Sequence, residues 1–161
     1  MPSRSAGILA FRKTKGVIEV LLVHPGGPFW RNRDVGAWSI PKGEYGPGED
    51  PEQVARREFQ EELGIAFVHA VVPLGDIHQR GGKTVTAFAA EANIDVADIR
   101  SNTFEIEWPP KSGRRRDFPE VDRAAWFDLD EARTKINEAQ RALLDRLEML
   151  APKHQAQGSE R

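Results

Sequence analysis

The chain has 161 residues, with 23 Lys+Arg against 25 Asp+Glu and a formal net charge of −2. At 39% hydrophobic and 30% charged residues it reads as one soluble globular domain, and the balanced charge gives no electrostatic case for a nucleic-acid binder. With no cysteine, disulfides, thiolate metal sites and a cysteine nucleophile are excluded, so any metal must be held by oxygen or imidazole ligands.

Residues Ala6 to Arg12 and Val17 to His24 are apolar and β-branched, and a Lys-Thr-Lys-Gly turn between them predicts a hairpin. Pro25 to Gly36 is rich in Gly, Pro and Arg and reads as a loop. Ala37 to Ile40 reads as a short strand, and Lys42 to Glu49 as a second loop. A helix follows: Asp50 is a good N-cap, Pro51 suits the first helical position, Gln53 sits three after the cap, and Gly64 is placed to end it.

Ile65 to Leu74, Thr84 to Ala90 and, more weakly, Thr103 to Trp108 read as strands. Pro109 to Pro119 reads as a loop with a basic run, Lys111 and Arg114 to Arg116. Ala124 to Phe127 is a short strand. Asp130 to Ile136 and Glu138 to Leu150 read as helices, the second opened by Asn137. One domain over 1–151 is expected, with a polar tail at 152–161 expected to be disordered. Strands with one helix between them, closed by helices, make an α/β (α+β) layered domain. No apolar run approaches the roughly 20 residues that span a bilayer, and no signal-peptide pattern is present. The expected setting is cytoplasmic, with no membrane partner.

The helix from Asp50 to Gly64 carries the chemistry. Glu58, Glu61 and Glu62 stand at i, i+3 and i+4, so three carboxylates share one face. Ala55, Phe59 and Leu63 form an adjacent apolar stripe. Like charges at helical neighbours cost a few tenths of a kcal/mol per pair, and a hard divalent cation offsets that cost. Arg57, four residues before Glu61, can neutralise part of the face. A solvated acidic face is the alternative reading.

The preceding loop weighs against that alternative. Gly43, five residues, Glu49, seven residues, then Arg57-Glu58-Phe59-Gln60-Glu61-Glu62-Leu63-Gly64-Ile65 resembles the complete signature of the Nudix hydrolases. The resemblance implies an α/β/α sandwich with a mixed sheet between helices. It implies hydrolysis of a nucleoside diphosphate linked to another moiety, by attack of water on phosphorus with Mg2+ as cofactor and Mn2+ as a substitute. Glu58 and Glu62 are the implied ligands, with Glu61 a ligand or second-metal residue and the Gly43 carbonyl nearby. Arg57 is implied to orient a glutamate, and Glu49 to steady the loop.

Family members often use a further acid as ligand or base. The candidates are Glu91, Glu105, Glu107 and Glu120. Glu120 is favoured, because Pro119-Glu120-Val121 resembles the segment before the last strand in the diadenosine tetraphosphate hydrolases. Capping, or pairing with Arg116 or Arg123, is its other reading. Trp38-Ser39-Ile40-Pro41-Lys42-Gly43 resembles the approach to the signature in members acting on diadenosine polyphosphates or diphosphoinositol phosphates, so Lys42 is expected at polyphosphate. Lys83 before Val85 resembles a phosphate-meeting lysine. Arg31 and Arg33 are expected in a loop that closes over substrate, and Phe88 or Trp30 is a candidate to stack a base, with core packing the alternative.

The expected substrate is a diadenosine polyphosphate. A housecleaning nucleoside triphosphate pyrophosphatase, or an ADP-ribose or nucleotide-sugar pyrophosphatase, is the alternative. A non-catalytic nucleotide-sensing module stands lower, since the signature glutamates are all present. The expected assembly is a monomer or a homodimer. The near-neutral total hides a division: Glu44 to Glu62 holds seven acids and two bases, while Met1 to Lys42 holds seven bases and two acids.

Overall fold

A computed structural model describes the backbone of residues 3–159 and the side chains of residues 3–150. The strands are β1 (Arg4–Thr14), β2 (Val17–Pro25), β3 (Lys42–Tyr45), β4 (Val72–Gln79), β5 (Lys83–Glu91), β6 (Thr103–Glu107), β7 (Arg115–Pro119) and β8 (Val121–Asp128). The helices are α1 (Pro51–Leu63), α2 (Leu129–Lys135) and α3 (Arg141–Ser159). The tail expected at 152–161 lies outside the described side chains. No described helix is long and apolar enough to cross a membrane.

Among the described residues, the main sheet runs β4-β5-β1-β2-β8, with β3 added against β1. It is mixed: β1 and β5 are parallel, and the other pairs antiparallel. Alternation along the central strands divides the core into two layers. Ala6, Ile8, Ala10, Leu21, Val23, Phe88 and Ala90 pack with Val54, Ala55, Phe59 and Leu63 of α1. Leu9, Val20, Leu22, Val85, Ala87 and Ala89 pack on the opposite face with Ala132 of α2 and Leu143, Leu144 and Leu147 of α3. The expected α/β/α sandwich is the architecture found, with Leu143, Leu144 and Leu147 of the last helix buried against the sheet.

The long strand β1 changes partners along its edge. Its first residues pair with β3, from Arg4 with Tyr45 to Gly7 with Lys42, and its last pair with β2, from Phe11 with Val20 to Thr14 with Val17. The segment before β3 enters between them: Ser39 pairs with Val23 of β2, and the Pro41 carbonyl accepts from the Ile8 N–H at 3.3 Å. The result is that Lys42 and Gly43 sit in the sheet beside α1, where a loop was expected.

Other boundaries differ for identifiable reasons. Ala37 to Ile40 forms isolated bridges rather than a strand. Residues 65–71 are coil, although an apolar run there reads as strand. Arg56 Nη1 donates to the carbonyls of Phe67 and His69, at 3.0 and 2.9 Å, which removes those acceptors from any ladder. Phe67 is instead buried against Phe59, with ring centroids 4.7 Å apart. The arginine-rich segment expected as loop supplies β7, which forms a separate two-stranded arm with β6. Opposed charges hold that arm: Arg115 Nε donates to Glu105 Oε1 at 2.8 Å. The final helical segment divides into a 3₁₀ turn, Glu138–Gln140, and α3.

Candidate active site

The ends of α1 are fixed as its sequence demands. The Asp50 carboxylate accepts from the Gln53 N–H at 3.1 Å. Gly64 stands in the left-handed region at φ 73 and donates its N–H to the Gln60 carbonyl at 2.7 Å. Burial of Val54, Ala55, Phe59 and Leu63 then sets the rotation of the helix, and the turn of Glu58, Glu61 and Glu62 faces β3.

A cavity of about 290 Å3 is lined by Lys42, Gly43, Glu44, Glu58, Glu61, Glu62, Lys83, Asn102 and Glu120, with Ser3 and Ser5 at its margin. The residues expected from α1, from β3, from the start of β5 and from the end of the β6–β7 arm thus meet at one place. Glu62 Oε2 accepts from the Lys42 backbone N–H at 3.0 Å, which joins α1 to β3. Gly43 is required by close approach: a Cβ there would overlap the Glu58 carboxylate. Arg57 lies between two acids, donating to Glu49 Oε2 at 3.1 Å and standing 3.5 Å from Glu58 Oε2. Glu49 also accepts from the Gly46 N–H at 2.8 Å, closing the loop between β3 and α1.

The electrostatics are those of crowded carboxylates. Burial, then the neighbouring Glu58 charge, pushes the Glu62 carboxyl up to about 8, against the opposing pull of the Lys42 N–H and ammonium. Glu58 is raised by burial and by Glu61, with Arg57 acting against the rise. Lys42 is lowered mainly by burial, and the Lys83 charge adds to that effect. An oxygen-only donor set with surplus negative charge has the chemistry of a site for a hard divalent cation. Among the described residues, no three acidic or imidazole groups are already gathered as ligands, so the fit rests on this donor set and on the raised carboxyls.

Several expected residues lie elsewhere. Phe88 is a correction: it is 7% exposed and packs in the layer under α1, because the β5 alternation turns it inward. It is not a stacking platform at the cavity. Arg31 is exposed on the loop after β2 and lines neither this cavity nor its neighbour. Arg33 lines the neighbouring cavity. Of the acids weighed against Glu120, Glu105 is paired with Arg115, Glu107 accepts the N–H groups of Lys111 and Gly113, and Glu91 ends β5 beside a separate apolar pocket.

Asn102 was missed by sequence reasoning. Its N–H donates to the Glu61 carbonyl at 3.1 Å, and its own carbonyl accepts from the Glu120 N–H at 2.9 Å. These are backbone bonds at the junction of coil and arm, and no residue-type signal announces them. The loop after β2 has an anchor of its own. His24 is fully buried, with Nδ1 at 2.8 Å from Asp122 Oδ1 and Nε2 donating to the Arg33 carbonyl at 2.6 Å.

The family model for the NUDIX domain matches residues 1–147. The chain belongs to the NUDIX family. It is 40% identical over 65 residues to the asymmetrical bis(5'-nucleosyl)-tetraphosphatase of Caenorhabditis elegans, covering 40% of this chain and 43% of that protein. It is 28% identical over 109 residues to the RNA pyrophosphohydrolase of Bartonella clarridgeiae, covering 58% of each. These matches span about half the length of the two relatives. The fold resembles the C. elegans Ap4A hydrolase in a binary complex, with a TM-score of 0.63 and 25% identity, covering 94% of this chain and 98% of that one.

Proposed function

We propose that the protein is a Mg2+-dependent pyrophosphohydrolase of nucleoside polyphosphates, with a diadenosine polyphosphate as substrate. The observation that carries this reading is the meeting of Glu58, Glu61, Glu62 and Glu120 with Lys42 and Lys83 on one small cavity. Acids that would hold a cation face bases that would hold phosphate. The partial likeness to a protein named as a tetraphosphatase supports the choice of substrate.

Glu58, Glu61 and Glu62 would hold the cation, with the Gly43 carbonyl and Glu120 as further donors. When bound, the ion neutralises phosphate oxygens and acidifies a coordinated water. Lys42 and Lys83 orient the phosphate chain. Glu120, exposed at the foot of the arm and facing the cavity, accepts a proton from the attacking water. The water oxygen bonds to phosphorus, the bridging P–O bond breaks, and its electron pair leaves on the departing phosphate. Arg57 holds Glu58 and touches no substrate.

The test is a hydrolysis panel of dinucleoside polyphosphates, nucleoside triphosphates and nucleotide sugars with Mg2+. Turnover is expected to be fastest on dinucleoside polyphosphates, and Glu62→Gln and Glu120→Gln are expected to remove most of it in folded protein. Tight nucleotide binding with no hydrolysis anywhere on the panel would overturn the catalytic reading.

A further inference from the structure

Lys83 lines a second cavity as well, of about 930 Å3, adjoining the carboxylate cavity. Its wall takes Arg33 from the loop after β2, Arg80 from the β4–β5 turn and Arg141 from the start of α3. Glu138 is the only acid among the described residues lining it. Arg57, Arg115 and Arg133 are matched to carboxylates, whereas Arg100 and Arg146 spend their guanidinium donors on backbone carbonyls. What sets this cavity apart is that its unpaired cations share one wall. None of Arg33, Arg80, Lys83 and Arg141 is in a salt bridge among the described residues. The Arg33 guanidinium lies 5.7 Å from the Trp30 ring centroid, and Arg141 Nε donates to the Arg133 carbonyl at 3.0 Å.

Four unmatched cations on a concave wall repel one another and focus a positive field into the space between them. Guanidinium groups suit phosphate because their planar forks donate paired hydrogen bonds to its oxygens. One group on the wall has the opposite need. Gln79 Oε1 is sealed from solvent and has no hydrogen-bond partner among the described residues. An acceptor among donors calls for a hydroxyl or amino donor such as a nucleoside carries.

We propose that this cavity receives the far end of a dinucleoside polyphosphate. Phosphates beyond the bond being cleaved pass Lys83 and lie on Arg80 and Arg141, and a ribose hydroxyl or base amino group of the distal nucleoside donates to Gln79. The proposal rests on the pyrophosphohydrolase reading of the carboxylate cavity. Because Lys83 borders both spaces, the site runs on past the metal-binding acids, and chain length becomes the quantity that the basic cavity measures.

Two measurements test it. The first is calorimetric titration of inorganic tripolyphosphate into metal-free protein. The Arg80→Gln/Arg141→Gln double variant is expected to bind at least about fivefold more weakly than wild type, and a smaller change overturns the proposal. The second is a KM series over dinucleoside polyphosphates with three to six phosphates in Mg2+. The variant is expected to raise KM increasingly with chain length while kcat stays within about threefold. A rise independent of length overturns it.

Gln79→Leu is expected to raise KM for the long dinucleoside substrates and leave tripolyphosphate affinity unchanged, and equal effects on both overturn the assignment of the distal nucleoside. The Arg80 side chain makes no hydrogen bond among the described residues, so Arg80→Gln alone serves if loss of the Arg141–Arg133 contact unfolds the double variant. If wild type hydrolyses no dinucleoside polyphosphate, the pyrophosphohydrolase reading falls, while the tripolyphosphate titration still decides whether the cavity binds phosphate.

Discussion

The Glu58 carboxylate occupies the space that a side chain at Gly43 would need. Strand and helix are therefore fitted to each other at the point where the proposed cation binds. Gly43→Ala is expected to displace Glu58 while leaving the two core layers intact. A displacement near 1 Å costs on the order of 100-fold in turnover. Steady-state kinetics beside a thermal melt checks this; unchanged kcat with an intact melt would detach Glu58 from catalysis.

Glu62 makes the metal-free protein sensitive to pH in an unusual direction. Its carboxyl is pushed up to about 8 in the folded state, from the 4.5 of an ordinary glutamate. Between those values the folded state holds a proton that the unfolded state has lost. Stability is therefore fully present below about pH 4.5 and is lost as pH rises towards 8. Melts in EDTA from pH 5 to pH 8 are expected to show this fall. Glu62→Gln is expected to flatten it, and saturating Mg2+ to offset it. A slope unchanged in Glu62→Gln would assign it to another group.

Arg57 acts through Glu58 and Glu49. Its loss removes from Glu58 a neighbouring cation that opposes the rise in its pKa. Arg57→Gln is expected to raise the Mg2+ concentration for half-maximal activity by about 10- to 100-fold, the usual effect of losing a group that orients a ligand. Arg57→Lys is expected to restore part of it. If kcat at saturating Mg2+ fell with no change in the Mg2+ requirement, Arg57 would have another role.

His24 joins β8 to the loop after β2, through Asp122 and the Arg33 carbonyl. His24→Phe takes the donor from the Arg33 carbonyl and the ring partner from Asp122, at a cost of about 1–3 kcal/mol. Urea unfolding is expected to show that loss. The loop carrying Arg33 is expected to loosen with it, giving faster amide exchange over residues 30–36. Exchange unchanged beside a lowered stability would limit His24 to packing.

The chemistry was more legible than the architecture around it. The i, i+3, i+4 spacing of Glu58, Glu61 and Glu62, with Asp50 and Gly64 at the helix ends, is local information. By itself it also fitted a solvated acidic face, and the loop spacing from Gly43 and Glu49, read as a resemblance, tipped it towards a site. Lys42 and Lys83 were found through resemblance, and their convergence depends on the β1–β5 and β1–β3 pairings, which no local pattern encodes. β3 read as loop because its composition is glycine-rich, whereas pairing with β1 and fit to Glu58 decide its state. β7 read as loop because Arg114 to Arg116 look solvated; they are, on an arm whose strands are joined by backbone pairing and by the Arg115–Glu105 ion pair. Phe88 was misjudged through face: one step along β5 separates a residue that meets solvent from one that meets α1.

The arm has a further property. Its two ends are bonded to each other, Glu120 N–H to Asn102 carbonyl, and Asn102 is bonded in turn to Glu61. The stretch between them, β6 through β7, is thus closed off at its own base, as a replaceable attachment is closed at its coupling. Beyond that closure the arm leans on the loop after β2, where Phe29 and Trp108 meet edge to face with ring centroids 5.5 Å apart. A graft between Thr103 and Pro119 that keeps this closure is expected to leave Glu61 and Glu120 in place.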